Sequence, residues 1–489
     1  MTGPLAPPGR SGVRVAGDHY QWLHAWHACM TMLRDSLVRS ANPVVQVGVE
    51  VDGVGNLDDI VQRRSRPPHT FTQVKYAVDG STPANTEWLT DQPRSGGRPL
   101  LRKLSESWKG LADAGEPVDL RLTTNRAPDP GDALLAGRDA RTNLLMPAAA
   151  AGGAQSARGK LRAVWEATTG LSPEELLRFL RVLHLDVARD LAYVEEAVSS
   201  LMIACGLRGD AEAVRAGADW IAAKVRHGVR NLQLDDVQAA AEDLGLRRGE
   251  AWSVLSVATL KPDPVADLAA AALDWTDRFE GTDAWSKRRP LAPATWQQLH
   301  DDIQTVAASI AGNPRVLVTG SLRQATGFAV GAALRMVTGT DVAVVQRGET
   351  WSSMTAPITR TVPGLHRVAC EHGADTAIAV SVATDISDDV LAFITSTRLP
   401  VGQLVCLSPP AGAHDRSVVD AASAGALALG IRDAVRKSAG SSPRVHLFLA
   451  GPLGLALLLG NRWNRIAPTI VYEDLGPRTG YEAAFTVPA

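Results

Sequence analysis

Short apolar runs alternate with helical segments along the C-terminal part of the chain, and this pattern constrains the fold more than any other feature. The runs are RVLVTG (315–320), DVAVVQ (341–346), TAIAVSVA (376–383), QLVCLS (403–408) and RVHLFLAG (444–451). Helical segments separate most of them. Strands that are apolar on both faces, with helices between them, indicate a mostly parallel sheet covered by helices. We therefore predict an α/β fold for this region.

A weak internal repeat runs through the same region. Segments 315–334 and 445–463 both pass from a strand through a tight turn of small residues into a helix, which predicts two Rossmann-like halves. Such turns place backbone N–H groups at helix N-termini, where anions bind. We predict a ligand site at the two turns, formed by Thr319, Gly320, Ser321, Arg323, Gly451, Pro452 and Leu453. Trp351 either stacks on a base of the ligand or belongs to the core.

The motifs of common nucleotide cofactors are missing from these turns. Neither GxGxxG nor GxxxxGK[ST] occurs there, and those glycine patterns let the backbone approach a pyrophosphate or a nucleoside triphosphate. The ligand is therefore not predicted to be an ordinary dinucleotide cofactor or triphosphate.

The N-terminal region has a different pattern, a helix followed by a meander of strands. Apolar residues recur at three- and four-residue spacing over residues 18–40, which predicts a helix. Three strand-like runs follow at 44–50, 57–63 and 70–78, joined by turns that are rich in glycine and proline. A second helix over 98–113 and a strand over 118–124 complete this part.

Acidic residues and a lysine lie close together in this meander. Alternation along a strand places Gln73 and Lys75 on one face, and a hairpin brings Asp59 to the same end of the sheet. Phosphodiester cleavage requires such a set, because carboxylates hold a divalent cation and a lysine stabilises the developing negative charge. Glu50 is a candidate second acid, and Asp58 remains an alternative to Asp59.

An ordinary structural role for these residues is also compatible with the spacing, since the two aspartates could form a solvated turn and Lys75 could lie on an edge strand. Arg63, Arg64 and Arg66 follow the acidic pair and are candidates for gripping DNA phosphates, or else a solvated face.

The remaining sequence suggests three regions. Breakers are frequent from 127 to about 159, residues 160–285 have a helical pattern, and 285–293 form a second boundary. Within the helical part, Ser172 and Glu175 have the spacing of a capping box. We predict a core with the candidate cleavage site over 1–150, a connecting helical region over 151–288 and an α/β domain with the candidate ligand site over 289–489.

Composition limits the class of protein. The 489 residues are 45% apolar and 21% charged, with a net charge of −2 and four widely spaced cysteines. Neither a zinc cluster nor a disulfide framework is expected from that spacing. The N-terminus has no apolar signal-peptide region, and the longest apolar stretch, 447–460, is too short to span a bilayer. A soluble cytoplasmic protein without a membrane partner is expected.

Residues 13–125 resemble the PD-(D/E)xK nuclease superfamily in its QxK variant. The resemblance rests on AGDHYQWLHAW (16–26), a strand ending in GVE, then DDIV and FTQVKYAV, then LRLTTNR (120–126). It implies that Asp59 binds Mg²⁺ or Mn²⁺, that Lys75 is the catalytic lysine and that Gln73 occupies the third motif position. Gln73 stands where many members have a carboxylate.

From about residue 295 the chain resembles the SAVED domain, a fusion of two CARF-like Rossmann halves. The matching segments are GSLRQATGFAVGAALR, TAIAVSVATDISDDV, SVVDAASAGALALGI and VHLFLAGPLGLALLLGNRWNRIAPTIVYED. The resemblance implies binding of a cyclic oligonucleotide second messenger. A QxK nuclease fused to SAVED is the layout of effectors in cyclic-oligonucleotide-based anti-phage signalling (CBASS).

Together the two resemblances imply a double-stranded DNA endonuclease that a cyclic di- or trinucleotide activates. Two other functions stay open: a non-catalytic cyclic-nucleotide-binding adaptor, and a ligand-activated RNase on the same scaffold. The two non-identical sensor halves can stack head to tail, so we expect self-association on activation.

Overall fold

The computed structural model describes residues 10–79, 81–93, 96–113, 115, 117–139, 141–335, 339–355, 360–476 and 479–489. The chain divides into two compact units, Met1–Glu250 and Ala251–Ala489. This division differs from the predicted boundaries at residues 150 and 288. The reason is that strands within the predicted helical connector belong to the sheets of both units.

The first unit is a mixed sheet with helices on its faces. Its elements are α1 (Arg10–Leu37), β1 (Val44–Val49), β2 (Ile60–Arg64), β3 (His69–Lys75), α2 (Thr86–Thr90), α3 (Leu100–Asp113), β4 (Val118–Thr124), α4 (Ala157–Thr169), α5 (Pro173–Leu180), β5 (Leu183–Asp186), α6 (Leu191–Ala204), α7 (Ala211–Arg226), β6 (Asn231–Gln233) and α8 (Leu234–Asp243). The strand order is β5-β4-β3-β2-β1-β6. Strands β3, β4 and β5 run parallel, and the pairs β2–β3, β1–β2 and β1–β6 are antiparallel.

One apolar core lies between this sheet and helices α2 to α5. Val61, Phe71 and Leu122 contribute the sheet side, and Trp165 and Phe179 the helix side. The predicted capping box is confirmed, because the Ser172 side chain accepts from the Glu175 N–H while the Glu175 carboxylate accepts from the Ser172 N–H.

The breaker-rich stretch 127–159 is not an open linker. Leu134, Leu135 and Leu145 are buried in the same core, and the Asp132 carboxylate accepts backbone N–H groups that include the one of Leu134, at 2.9 Å. Apolar anchors and Asx turns therefore hold this irregular segment against the helices.

The second unit contains two sheets. Its elements are β7 (Ser253–Ala258), β8 (Ala271–Asp274), α9 (Trp296–Ser309), β9 (Arg315–Thr319), α10 (Gln324–Ala333), β10 (Asp341–Gln346), β11 (Glu349–Ser352), β12 (Gly364–Ala369), β13 (Asp375–Ser381), α11 (Ser387–Thr397), β14 (Val401–Ser408), α12 (Ala421–Ser438), β15 (Val445–Ala450), α13 (Leu453–Asn461), β16 (Thr469–Asp474) and β17 (Tyr481–Val487). The strand orders are β11-β10-β9-β7-β8 and β12-β14-β13-β15-β16-β17.

The prediction of mostly parallel sheets in this region is confirmed. Each sheet has four parallel strands, and the antiparallel strands β11, β12 and β17 lie at the edges. Strand β7 lies between β8 and β9, so the first half needs residues that precede the predicted start at 289.

Helices α10 and α13 join the two halves through backbone contact. A Cβ on Gly331 of α10 would lie 2.1 Å from the Leu457 carbonyl oxygen, and one on Gly460 of α13 would lie 2.1 Å from that of Phe328. Only glycine permits so close a crossing. Core residues of both sheets pack around these helices in one continuous cluster.

Candidate functional site

The acidic residue and the lysine predicted for catalysis lie at one end of the first unit's sheet. The antiparallel register of β2 and β3 pairs Ile60 with Thr72, which brings Asp59 opposite Gln73. The Asp59 Oδ2 atom accepts hydrogen bonds from the Val74 N–H at 2.7 Å and from the Gln73 side-chain amide. Lys75 follows on the same strand face as Gln73. The structure therefore brings Asp59, Gln73 and Lys75 together.

Opposing effects act on the Asp59 carboxyl group. Burial raises its pKa above the ordinary value, whereas the Lys75 ammonium and the Val74 N–H lower it. The neighbouring carboxylate of Asp58 adds a smaller upward effect. The net effect raises the pKa of Asp59, and the Lys75 ammonium is the largest of the effects that favour its ionised form.

Glu50, the candidate second acid, has its carboxylate engaged elsewhere. Its N–H donates to the Asp59 carbonyl oxygen at 3.2 Å, but its carboxylate is ion-paired with Arg230 and accepts from the Gln21 amide at 3.5 Å. Within the part of the chain that the structure describes, no three His, Cys, Asp or Glu side chains are placed to hold a metal ion. The predicted pairing of Glu50 with Asp59 as metal ligands is thus not preformed.

The three arginines that follow the acidic pair have different surroundings. Arg64 donates to the Asn42 carbonyl oxygen at 2.9 Å, and Arg66 donates to the Ala41 carbonyl oxygen at 2.9 Å. Both guanidinium groups thus hold the loop between α1 and β1. Arg63 instead lines a cavity together with Arg230.

This cavity has a volume of about 440 Å³ and lies on the same sheet face as Asp59. Gly48 pairs with Val61 on one side and with Asn231 on the other, and all three line the cavity. Asp59, Val61 and Arg63 alternate along one chain segment and therefore share a face. Arg230 and Asn231 were not predicted, because only the pairing of β6 with β1 brings them here.

The first predicted ligand turn, after β9, packs tightly against the end of β7. Gly320 has a φ of +100°, and a Cβ there would lie 2.1 Å from the Val257 carbonyl oxygen. The Thr319 hydroxyl donates to the Asp263 carboxylate at 2.5 Å, and the Ser321 carbonyl accepts the N–H groups of the 259–260 loop. Glycine is needed at this turn because of the close approach of β7.

Arg323 does not point freely towards a ligand. Its guanidinium donates to the carbonyl oxygens of Lys287 at 2.7 Å, Trp285 at 3.1 Å and Ala284 at 3.2 Å. Burial lowers the pKa of this guanidinium below its ordinary value. In this structure Arg323 therefore holds the 284–287 loop, and the Trp285 side chain on that loop is 84% exposed.

The second predicted turn contacts side chains from the first half. The Gly451 N–H donates to Gln324 Oε1 at 3.0 Å, and the Gly454 N–H donates to Gln346 Oε1 at 3.1 Å. Pro452 is the N-cap of α13. The amides at this helix start thus have protein partners, which a bound anion would have to replace.

Leu453 and Trp351 were also among the predicted ligand residues, and both make packing contacts. The Leu453 side chain lies against Gly327 of α10. Trp351 is fully buried and packs on Gly454. Of the two roles left open for Trp351, the structure therefore shows the core role, because the β10–β11 pair places its side chain against α13.

Glu473 at the end of β16 lies at the start of α10 and was not predicted. Its carboxyl group accepts from the Ala325 N–H at 3.2 Å. Burial raises the pKa of Glu473 to about 8, and the positive charges of Arg323 and Arg288 oppose that shift. The Glu473 carboxyl group thus lies at the N-terminus of α10, a position where the helix dipole favours a negative charge.

Comparison with known proteins finds a family match within the second unit. Residues 297–487 match the profile of the SMODS-associated and fused to various effectors sensor domain, SAVED. The segment lies wholly within the second unit. In the described residues, no helix is both long and apolar enough to cross a membrane.

One curated relative extends over both units. The chain is 23% identical over 460 residues to CD-NTase-associated protein 4 of Enterobacter hormaechei subsp. hoffmannii (strain UCI 50), and the match covers 88% of this chain and 90% of that protein.

Two matching solved structures share less sequence with this chain. A Cap4 SAVED/CARF-domain containing receptor of Acinetobacter baumannii, with the cyclic trinucleotide 2'3'3'-cAAA, is 12% identical with a TM-score of 0.41 over 100% of both chains. The Moraxella osloensis Cap4 receptor is 11% identical with a TM-score of 0.40 over 96% of this chain and 99% of that one.

Proposed function

We propose that this chain is a nuclease effector of anti-phage (CBASS) signalling, in which the second unit senses a cyclic oligonucleotide and the first unit cuts double-stranded DNA. The observation that carries the nuclease part is the contact of the Asp59 carboxylate with Gln73, next to the Lys75 ammonium. An acid and a lysine at one strand end match what phosphodiester cleavage needs.

The residues at this end of the sheet suit a divalent cation. The Asp59 carboxylate and the Gln73 amide carbonyl offer oxygen ligands, the type that Mg²⁺ takes. When bound, Mg²⁺ or Mn²⁺ would polarise a phosphoryl oxygen and lower the pKa of the attacking water. Lys75 would stabilise the negative charge that develops on the phosphate. Glu50 would join this set only after its carboxylate left Arg230.

The sensing part of the proposal is supported by the SAVED match over 297–487. The resemblance implies a cyclic oligonucleotide as ligand, and the name of the 23% identical relative links it to a CD-NTase. We propose that the ligand binds at the turns 319–323 and 450–453, where two helices begin within one core. Arg323 would then exchange its contacts with the 284–287 loop for a phosphate.

The nuclease part is tested with the purified chain, supercoiled plasmid, Mg²⁺ and a panel of cyclic di- and trinucleotides. Lys75→Ala is expected to lower ligand-dependent cleavage by about a hundredfold or more, and EDTA to stop it. Lys160→Ala, which removes an exposed lysine on α4, is the matched control. Full cleavage by Lys75→Ala would show that the catalytic site lies elsewhere.

The choice of carboxylate is tested in the same assay. Asp59→Ala is expected to abolish cleavage, because Asp59 makes the contact with Gln73. An inactive Asp58→Ala beside an active Asp59→Ala would assign the metal-binding role to Asp58 instead. A parallel assay with single- and double-stranded RNA separates a DNase from an RNase.

A non-catalytic adaptor is the second candidate, and the pairing of the Glu50 carboxylate with Arg230 favours it. An adaptor would bind the cyclic nucleotide without cutting either nucleic acid at any Mg²⁺ or Mn²⁺ concentration. Ligand binding with no cleavage of plasmid or RNA would therefore support the adaptor over the nuclease.

Activation is proposed to proceed through self-association. A ligand activates only by favouring a state that it binds better than the resting one, and cutting both strands of a duplex needs two active sites or two visits. Non-identical sensor halves can stack head to tail. Light scattering is expected to rise when ligand is added, and cleavage to rise more steeply than protein concentration. A fully active monomer would contradict this mechanism.

A further inference from the structure

A cluster of arginines surrounds a single carboxylate in the second unit. Asp433 of α12 forms ion pairs with Arg432 at 2.8 Å, with Arg360 at 3.0 Å and with Arg436 at 3.7 Å. Arg465, in the turn after α13, lies close enough to lower the pKa of the Arg436 guanidinium, as Arg432 and Arg360 also do. We call Arg360, Arg432, Arg436 and Arg465 the arginine cluster.

Positive charge exceeds negative charge in the arginine cluster. Among the residues that the structure describes, the four guanidinium groups face one carboxylate, that of Asp433. Burial together with the neighbouring arginines lowers the pKa of Arg436, although Asp433 opposes the effect. Like charges held close together, partly out of water, are unfavourable unless an anion joins them.

The cluster is held in place from one side and open on the other. The Arg432 and Arg436 side chains are only 11% and 29% exposed, and Arg436 donates to the Asn464 carbonyl oxygen at 2.6 and 3.0 Å. Arg360 is 66% exposed and Arg465 is also exposed. Guanidinium groups of which two are held by the protein and two are exposed can make planar, charge-assisted bonds to phosphate oxygens.

This position differs from that of the two predicted ligand turns. The turn at Gly451 precedes α13, whereas Arg465 follows it, and a helix of nine residues is about 13 Å long. The cluster therefore lies near the far end of α13 from the turn.

We propose that the arginine cluster binds a phosphodiester anion. The inference deepens the proposed function, since both ligands named there, the cyclic oligonucleotide and DNA, carry this group. It does not depend on the catalytic role of Lys75.

The test uses the full chain in EDTA with two separate probes, a dye-labelled DNA duplex and cyclic triadenylate. In Arg360→Gln/Arg465→Gln, affinity for at least one probe is expected to fall about tenfold or more. For DNA, the slope of log affinity against log salt is expected to flatten by about two. Loss with DNA alone identifies the substrate as the source of the anion, and loss with the cyclic nucleotide alone identifies the messenger.

Two further variants separate binding from folding. Arg398→Gln/Arg416→Gln removes the same charge from exposed positions elsewhere in the unit, and its affinities are expected to equal those of the native chain. Arg360→Lys/Arg465→Lys keeps the charge but loses the planar guanidinium, and is expected to lose less affinity than the Gln pair. Equal losses in the Lys and Gln variants, with a lowered thermal midpoint, would show a structural role and overturn the proposal.

Failure of the proposal is distinguishable from failure of the proposed function. Unchanged affinity for both probes, in a chain whose Lys75-dependent cleavage persists, overturns the arginine cluster alone. Binding that the arginine variants abolish, in a chain that never cleaves, supports the cluster and removes the nuclease.

Discussion

The crossing of α10 and α13 makes a strong prediction for Gly331→Ala. The new Cβ would lie 2.1 Å from the Leu457 carbonyl oxygen, whereas a carbon and an oxygen normally approach to about 3.3 Å. The helices must therefore separate by about 1 Å, since a backbone atom cannot move aside as a side chain does. Overpacking of this kind costs about 1–3 kcal/mol, and the better helix propensity of alanine returns up to about 1 kcal/mol.

We therefore expect the free energy of unfolding of the second unit to fall by about 2 kcal/mol in Gly331→Ala. With urea m-values of about 1–3 kcal/mol/M, the unfolding midpoint followed by tryptophan fluorescence should drop by about 1 M. Gly425→Ala in α12 is the control, because a Cβ there meets no atom within 4 Å, and it should be neutral or slightly stabilising. A Gly331→Ala chain as stable as the native one would refute the backbone contact.

Three other outcomes follow from burial. A fragment of residues 251–489 is expected to fold, whereas 290–489 is expected to show no cooperative melting by circular dichroism, because it lacks β7 and β8 and leaves β9 without its partner β7. Burial lowers the pKa of His24 to about 3 and that of His27 to about 4. Both histidines stay neutral in the folded chain but take up a proton in the unfolded chain below about pH 6.5. As pH is lowered from 6.5 to 5, chemical denaturation should therefore show the free energy of unfolding falling by up to about 1.4 kcal/mol per pH unit for each histidine. Burial raises the folded-state pKa of Glu473 to about 8. The stability that the protonated carboxyl group contributes is therefore fully present below about pH 4.3 and is lost as pH rises towards 8. The stability of Glu473→Gln relative to the native chain should rise across that range, and a difference that does not change with pH would contradict the burial of the acid.

The catalytic candidates could be predicted because they depend on short-range geometry. Strand alternation places Gln73 and Lys75 on one face, and a hairpin of known length brings Asp59 opposite Gln73. The engagement of Glu50 with Arg230 could not be predicted in this way, since the two residues are brought together by strand pairing across most of the first unit.

The predicted helical connector was wrong in part, and the short strands explain why. Strands β5 and β6 have only four and three residues, too few for a period of two to stand out from neighbouring helices. Strand β7 is apolar along most of its length, and such a run has no alternation that would separate it from a buried helix. These segments are strands because they pair with strands that are distant in the sequence, and the local pattern does not show that pairing.

Arg323 illustrates a different limit of sequence reasoning. Its place in a strand-end turn correctly predicted a position at the start of a helix. The groups that its guanidinium contacts come from the 284–287 loop, more than thirty positions earlier. The acceptors that a half-buried arginine contacts depend on the distant segments that fold around it.

The reciprocal contact of Gly331 and Gly460 has a consequence for how the second unit can evolve. In a dimer of identical subunits, every substitution near the symmetry axis appears twice. In the second unit the two halves are encoded separately in one chain, so a mutation alters one half and leaves the other unchanged. The two turns already differ, because a Cβ at Gly320 would meet the Val257 carbonyl oxygen whereas the Gly451 N–H donates to Gln324. Selection can therefore change one turn without changing the residues of the other.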